Sequence, residues 1–126
     1  MNLLLDTCAL LALAQGTLPF RAHEQLQIAN EAFASVVSPW EVGIKSAKGR
    51  LTLNEPVESW FHGLTEHYQL RVILLDVKTA CAAALLPKIH SDPFDRVIIS
   101  IAQQRNLTIL TSDRTIPTYP GIQTLW

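Results

Sequence analysis

Short apolar runs alternate with segments of helical character along this chain, and this alternation constrains the fold more than any other feature. The run NLLLD is continuously apolar, as expected for a strand buried on both faces. ASVVS, RVILL and LTILTSD predict three further strands, and IQTL predicts a short fifth one at the C-terminus. Strands that alternate with helices predict an α/β fold with a central, mostly parallel, twisted β-sheet of four to five strands, flanked by helices on both faces.

The segments between these runs carry helix signals. Helices are predicted over residues 8–14, 21–30, 39–48, 56–69, 77–86 and 93–105. Ser38, followed by proline and by Glu41, predicts a capping box. In the stretch HSDPFDR, Asp92 is predicted as the N-cap, proline occupies the first helical position, and Asp95 falls at the third. Asn106 is the predicted C-terminal stop of that helix.

Length and composition predict one globular domain that spans residues 1–126. Hydrophobic residues make up 48% of the chain and charged residues 17%. No apolar run is long enough for a membrane span, and the start MNLLLD lacks the basic region of a signal peptide. Two distant cysteines form neither a disulfide framework nor a zinc site. These features predict a reduced, cytoplasmic protein without a membrane partner.

Four carboxylates fall where the predicted topology brings chain segments together. Asp6 closes the first strand, Asp113 follows the fourth, and Glu41 and Asp95 lie in the first turns of two helices. Parallel strands end at one edge of the sheet, where ligands of such folds bind, so we expect these four side chains to converge there. Each also has a purely structural interpretation as a helix cap, a turn residue or, for Glu41, an ion pair with Lys45.

Clustered carboxylates have a definite chemistry. Like charges within a few ångströms repel and raise a pKa unless a cation compensates them. Mg²⁺ and Mn²⁺ prefer oxygen ligands, and such ions activate water and stabilise the leaving oxygen of a phosphodiester. The pattern therefore indicates a metal-dependent nuclease. Because the net charge is only −1, a polyanion would have to be held by local basic residues or by the metal.

The blocks LLLDTCALLAL, SPWEVGIKSAKGRL, HSDPFDRVIISIAQ and LTILTSDRTIPTY resemble the PIN-domain ribonucleases in order and spacing. In particular they resemble the VapC-type toxins of type II toxin–antitoxin systems, over essentially the whole chain. The resemblance implies a PIN-like domain and an Mg²⁺- or Mn²⁺-dependent endoribonuclease that hydrolyses RNA phosphodiester bonds. It also implies a cognate antitoxin protein that neutralises the enzyme, and a homodimer.

The resemblance assigns roles to individual residues. The implied catalytic residues are Asp6, Glu41, Asp95 and Asp113. Asp6 and Asp95 would be direct metal ligands, whereas Glu41 and Asp113 would complete the metal site directly or through water. Candidate substrate-binding residues are Thr7, Lys45, Arg96 and Arg114. Lys48 and Arg50 are candidates for a basic rim around the site.

Several residues leave alternatives open. Cys8 stands where many relatives carry histidine, and we expect it to be a buried apolar residue rather than a nucleophile. The four histidines show no metal-ligand spacing, and Trp40 and Trp60 are predicted core or interface residues. The alternative function is a non-catalytic PIN-fold interaction module, which the departure at Cys8 favours and the intact acidic set disfavours. A phosphotransfer or receiver domain is weaker, because neither a second aspartate near Asp6 nor a lysine after LTILTSDR is present.

Overall fold

A computed structural model of the protein describes residues 1–126 and contains one five-stranded sheet. The strands are β1 (Asn2–Leu5), β2 (Glu31–Ser35), β3 (Arg71–Ile73), β4 (Thr108–Leu110) and β5 (Thr124–Leu125). Their order across the sheet is β3-β2-β1-β4-β5, and every neighbouring pair is parallel. The predicted α/β class, the parallel sheet and the fifth strand are confirmed.

Six α-helices connect the strands. They are α1 (Thr7–Gln15), α2 (Phe20–Ile28), α3 (Val37–Ala47), α4 (Val57–His67), α5 (Val77–Leu85) and α6 (Pro93–Arg105), with a short 3₁₀ helix at Ile116–Thr118. Helix α6 begins and ends as predicted: Asp92 accepts hydrogen bonds from the first-turn amides, and Asn106 adopts the left-handed conformation that closes the helix. No helix has both the length and the apolar character needed to cross a membrane.

Helices cover both faces of the sheet. The side chains of β1 alternate, so that Leu3 and Leu5 pack into one apolar cluster with residues of α1, α2 and α4. Leu4, on the opposite face, packs into a second cluster that contains the isoleucines of α6. Strand β1 is thus buried on both sides, and the residue that follows it is held firmly in place.

The boundary between β2 and α3 differs from the prediction. The strand is EAFAS rather than ASVVS, because pairing with β1 aligns Asn2 with Glu31 and Leu5 with Ala34. Ser35 then accepts a hydrogen bond from the Val37 amide at 3.1 Å, which starts the helix earlier than predicted. The predicted capping box of Ser38 and Glu41 is therefore wrong, since both residues lie inside α3.

The tryptophans occupy different environments. Trp60 belongs to the core cluster under α4, as predicted. Trp40 is 59% exposed and stands edge-on to the ring of Phe94, with ring centroids 5.0 Å apart. Trp126 packs against the first core cluster.

Candidate functional site

The candidate site lies at the carboxyl edge of the sheet, beside the central strand. The chain places β2 and β3 on one side of β1, and β4 and β5 on the other, so the strand order reverses between β1 and β4. Ligands of open parallel sheets bind outside the strand ends at such a reversal. Asp6 directly follows β1, and Asp113 lies three residues beyond β4.

Asp6 is both a helix cap and a member of this site. One carboxylate oxygen accepts a hydrogen bond from the Ala9 amide at 2.8 Å, as an N-cap does. The other accepts a hydrogen bond from the Thr111 hydroxyl, which in turn accepts one from the Asp113 amide. Burial raises the pKa of Asp6 to about 6, despite these hydrogen bonds. The capping interpretation is correct but does not account for the second oxygen.

Asp95 lies in the first turn of α6, where the resemblance places an acidic residue of the site. Its neighbour Asp92 carries the cap, because Oδ1 of Asp92 accepts hydrogen bonds from the amides of Phe94 and Asp95 at 2.8 and 3.3 Å. Burial, followed by repulsion from Asp92, Asp6 and Glu41, raises the pKa of Asp95 to about 7. The carboxyl of Asp95 is thus left for a purpose other than capping.

Glu41 points a buried carboxylate toward the same edge. The residue is only 5% exposed, and its charge raises the pKa values of both Asp6 and Asp95. Oε2 accepts a hydrogen bond from Lys45 Nζ at 2.7 Å, which confirms the predicted ion pair. Oε1 is buried without any hydrogen-bond partner. A buried, unpaired carboxylate oxygen is costly unless a cation or donor is bound there.

His90 joins the site, although no sequence signal pointed to it. Its Nε2 lies within hydrogen-bond distance of two carboxylates, 2.9 Å from Asp113 Oδ2 and 3.1 Å from Asp95 Oδ2. Burial opposes the effect, but hydrogen bonds from His90 and from the Thr115 amide lower the pKa of Asp113 overall. His90 is 23 residues from Asp113 in sequence, so only the fold brings the two together.

The donor set suits a hard divalent cation. Carboxylate oxygens predominate, one of them is buried without a partner, and two of the acids have pKa values raised by burial and mutual repulsion. Donor atoms of His90, Asp95 and Asp113 also lie within 4.8 Å of one another. The carboxylates of this site could therefore bind a metal ion, which would neutralise charges that otherwise repel.

The predicted substrate-binding residues do not all face the site. Thr7 is buried and donates a hydrogen bond to the Ser38 hydroxyl at 3.0 Å, which links α1 to α3. Arg96 donates to backbone carbonyls of five residues between Ala83 and His90, so its guanidinium is used within the protein. This contradicts the prediction that Arg96 binds substrate, because its donors are already occupied by carbonyls of the protein. Arg114 is exposed next to Asp113.

A groove with basic side chains adjoins the acids. Its cavity of about 320 Å³ is lined by residues of α3, of the segment after it and of the start of α6, including Glu41, Lys45, Lys48, Arg50 and Phe94. A larger cavity, about 520 Å³, lies elsewhere, between α1, α4 and residues 52–55. The smaller groove is the one relevant to the site, because it contains Glu41.

Cys8 is exposed, so the expectation of a buried residue is wrong. The residue as a whole is exposed, but its sulfur is partly buried, and this desolvation together with the negative charges of Asp6 and Asp95 raises the pKa of the thiol to about 11. At neutral pH the thiol therefore stays protonated, as expected for a residue that is not a nucleophile.

Comparisons with known proteins agree with this architecture. The chain resembles the VapBC2 complex from Rickettsia felis bound to a DNA fragment from its promoter, with TM-score 0.71, 15% identity and coverage of 100% of this chain and 99% of that chain. It also resembles DNA-bound VapBC from Salmonella typhimurium, with TM-score 0.70, 19% identity and coverage of 99% and 97%. FitAcB from Neisseria gonorrhoeae gives TM-score 0.67 at 19% identity, with coverage of 98% and 96%.

No curated protein sequence matches the chain. The family profile of the PIN domain, in contrast, matches residues 3–121, which is nearly the whole chain. The chain therefore belongs to the PIN domain family.

Proposed function

We propose that the protein is an Mg²⁺- or Mn²⁺-dependent endoribonuclease of the VapC toxin type. The observation that carries the proposal is the buried Oε1 of Glu41, which has no partner beside two carboxyls whose pKa values are raised. Purely structural caps would have no reason to gather such groups, because each adds a cost that folding must offset. A cation held at this point would relieve all three groups together.

The residues have distinct roles in the proposed reaction. Asp6 and Asp95 would hold the cation, which would supply charge neutralisation and activation of water. Glu41 and Asp113 complete the site, directly or through water, and orient the attacking water. Water attacks the phosphorus and gives up one proton, the bond from phosphorus to the leaving ribose oxygen breaks, and that oxygen takes up one proton. The Thr111 hydroxyl links Asp6 to Asp113, since it donates a hydrogen bond to the Asp6 carboxylate and accepts one from the Asp113 amide.

The proposed path of the RNA is the groove beside Glu41. Lys45, Lys48 and Arg50 line it and supply the positive charge that the net charge of the protein does not. Arg114, which is exposed and directly follows Asp113 in the chain, is the proposed contact for a second phosphate. The proposed action on cellular RNA places the protein in the cytoplasm.

We further propose two protein partners, an antitoxin and a second copy of the chain. Similar structures include the DNA-bound VapBC complexes and a toxin–antitoxin complex from Klebsiella pneumoniae at 19% identity and TM-score 0.65, and these support an antitoxin partner. The homodimer is supported by exposed apolar side chains in the edge strand β3 and in helix α5, among them Val72, Val77 and Leu85.

The proposal is tested with purified, antitoxin-free protein and total cellular RNA in Mg²⁺ or Mn²⁺. Discrete cleavage that disappears with EDTA and with Asp95→Asn is the expected result. A parent protein that is folded and binds Mn²⁺ but cuts no RNA would instead favour the alternative, a non-catalytic interaction module. Cleavage that is unchanged in Asp95→Asn would show that the acids do not form the active site.

A further inference from the structure

His90 makes contacts on both sides of its imidazole ring. Nε2 lies between two carboxylates, 2.9 Å from Asp113 Oδ2 and 3.1 Å from Asp95 Oδ2. On the other side, Nδ1 accepts a hydrogen bond from the backbone N–H of Asp92 at 3.1 Å. A neutral imidazole has one donor nitrogen and one acceptor nitrogen. Because a backbone amide can only donate, Nδ1 must be the acceptor and the proton must reside on Nε2.

This tautomer decides what the ring can do. A nitrogen that carries a proton has no lone pair for a metal ion, so Nε2 cannot coordinate one while Asp92 donates to Nδ1. The same proton is well placed to attract both carboxylates. The ring therefore acts as a donor that links an acid after β4 to an acid on α6, and not as a ligand.

The segment that carries His90 is itself fixed. The His90 amide donates to the Tyr119 hydroxyl at 2.7 Å, and that hydroxyl donates to the Pro87 carbonyl at 3.1 Å. Arg96 donates to the carbonyls of Leu86, Pro87 and His90 at 2.8, 3.0 and 3.1 Å. A ring held by its own backbone in this way is preorganised, and little freedom is lost when it orients the acids.

We infer that His90 is a positioning residue of the acidic site, which holds Asp95 and Asp113 together through the Nε2 proton and does not coordinate the metal. Its meaning for catalysis rests on the proposed function, but its effect on the acids does not. Arg96 and Tyr119 act one step further out, because they fix the loop on which His90 stands. The block DPFDR thus contains the helix cap Asp92, the site residue Asp95, and Arg96, which fixes the loop that carries His90.

The tautomer is tested first, in the unmodified protein. Long-range ¹H–¹⁵N NMR of histidine-labelled protein at about pH 8 identifies which ring nitrogen carries the proton, without metal and with Mg²⁺ alone. We expect the Nε2–H form in both states. A proton on Nδ1, or a shift of the Nε2 resonance that shows coordination of Mg²⁺, would overturn the inference.

Variants then test the consequence through Mn²⁺ binding, measured by calorimetry. His90→Ala should weaken Mn²⁺ binding about 10-fold, as loss of an orienting partner does, and His90→Gln, whose amide N–H can replace Nε2–H, should restore most of it. His62→Ala is the matched control, because His62 is an exposed histidine that lies 3.8 Å from Glu58. Equal binding by His90→Ala and the parent, or equal loss in His90→Ala and His90→Gln, would refute a positioning donor.

RNA cleavage separates this inference from the proposed function. If the parent cuts RNA, His90→Ala should lower kcat about 10-fold with little change in KM, and His90→Gln should recover activity. A parent that cuts no RNA but shows the predicted Mn²⁺ affinities would refute the proposed function and support the role of His90. If the parent cuts RNA and His90→Ala is equally active, the proposed function is supported and the role of His90 is refuted.

Discussion

Substitution of Asp95 gives a clear test, because the ionised carboxyl of this residue lowers the free energy of unfolding in the absence of metal. Burial and neighbouring acids raise its pKa from 3.8 to about 7, so the folded protein binds this proton more tightly than the unfolded chain does. A group with a raised pKa stabilises the fold below its unfolded pKa, and that stabilisation is lost as pH rises through the folded value. The contribution of Asp95 to the stability of the metal-free protein should therefore fall between about pH 4 and about pH 7.

The magnitude follows from the same shift. A pKa raised from 3.8 to about 7 corresponds to about 4 kcal/mol at alkaline pH, and solvent screening of this partly exposed carboxyl reduces the expected effect to about 2 kcal/mol. Asp95→Asn removes the charge and should stabilise the metal-free protein by that amount at about pH 8, or by about 8 °C in Tm. At about pH 5, Asp95 is protonated in the folded protein but ionised in most of the unfolded chain, so the gain in stability should be less than half of that at about pH 8.

The assay is thermal or urea unfolding in EDTA at the two pH values, repeated with Mg²⁺. Added Mg²⁺ should stabilise the parent at the higher pH and have a much smaller effect on Asp95→Asn. Asp76→Asn is the control, since Asp76 is an exposed helix cap whose pKa is lowered by hydrogen bonds from Thr79. The reasoning is refuted if Asp95→Asn is no more stable than the parent at about pH 8, or if the gain is equal at both pH values.

Three further predictions concern residues around the acids. Arg96→Ala removes five hydrogen bonds to carbonyls and should cost about 2 kcal/mol in urea unfolding, and an unchanged midpoint would contradict its role as a clamp. Thr111→Val removes the hydroxyl that contacts Asp6 and should reduce RNA cleavage about 10-fold with little loss of fold, as measured by initial rates and circular dichroism. Cys8, with its thiol pKa raised to about 11, should react with iodoacetamide at neutral pH far more slowly than free cysteine, and rapid alkylation would disprove that environment.

The sequence predicts the elements whose signals are local. Helix α6 follows from Asp92, Pro93 and Asn106, because each acts within one turn of its own position. The buried strand β1 follows from its apolar run, and Asp6 follows from the end of that strand. These features depend little on the rest of the chain, so pattern alone is sufficient for them.

Features set by pairing across the fold could not be read in the same way. Residues 34–38 are rich in strand-forming side chains, yet the register with β1 selects Glu31–Ser35 as β2. The predicted cap at Ser38 is wrong because helix α3 already begins at Val37, whose amide donates to the Ser35 hydroxyl, and the Ser38 hydroxyl instead accepts a hydrogen bond from Thr7. His90 could not be assigned from spacing, since its position depends on contacts made by Arg96 and Tyr119.

The measurement that tests the central claim most directly compares two aspartates with the same local structure. Asp6 and Asp76 are both N-caps that accept a hydrogen bond from the amide three residues on, each at 2.8 Å. Asparagine caps a helix about as well as aspartate, so Asp6→Asn and Asp76→Asn remove a charge and keep a cap.

Initial rates of RNA cleavage in Mn²⁺ are measured for both variants and the parent. A metal-dependent acidic site predicts that Asp6→Asn loses about 100-fold or more of the rate while Asp76→Asn stays within about twofold of the parent. If Asp6→Asn cleaves RNA as fast as Asp76→Asn, then Asp6 is only a helix cap and the acids at this edge of the sheet are not the catalytic centre.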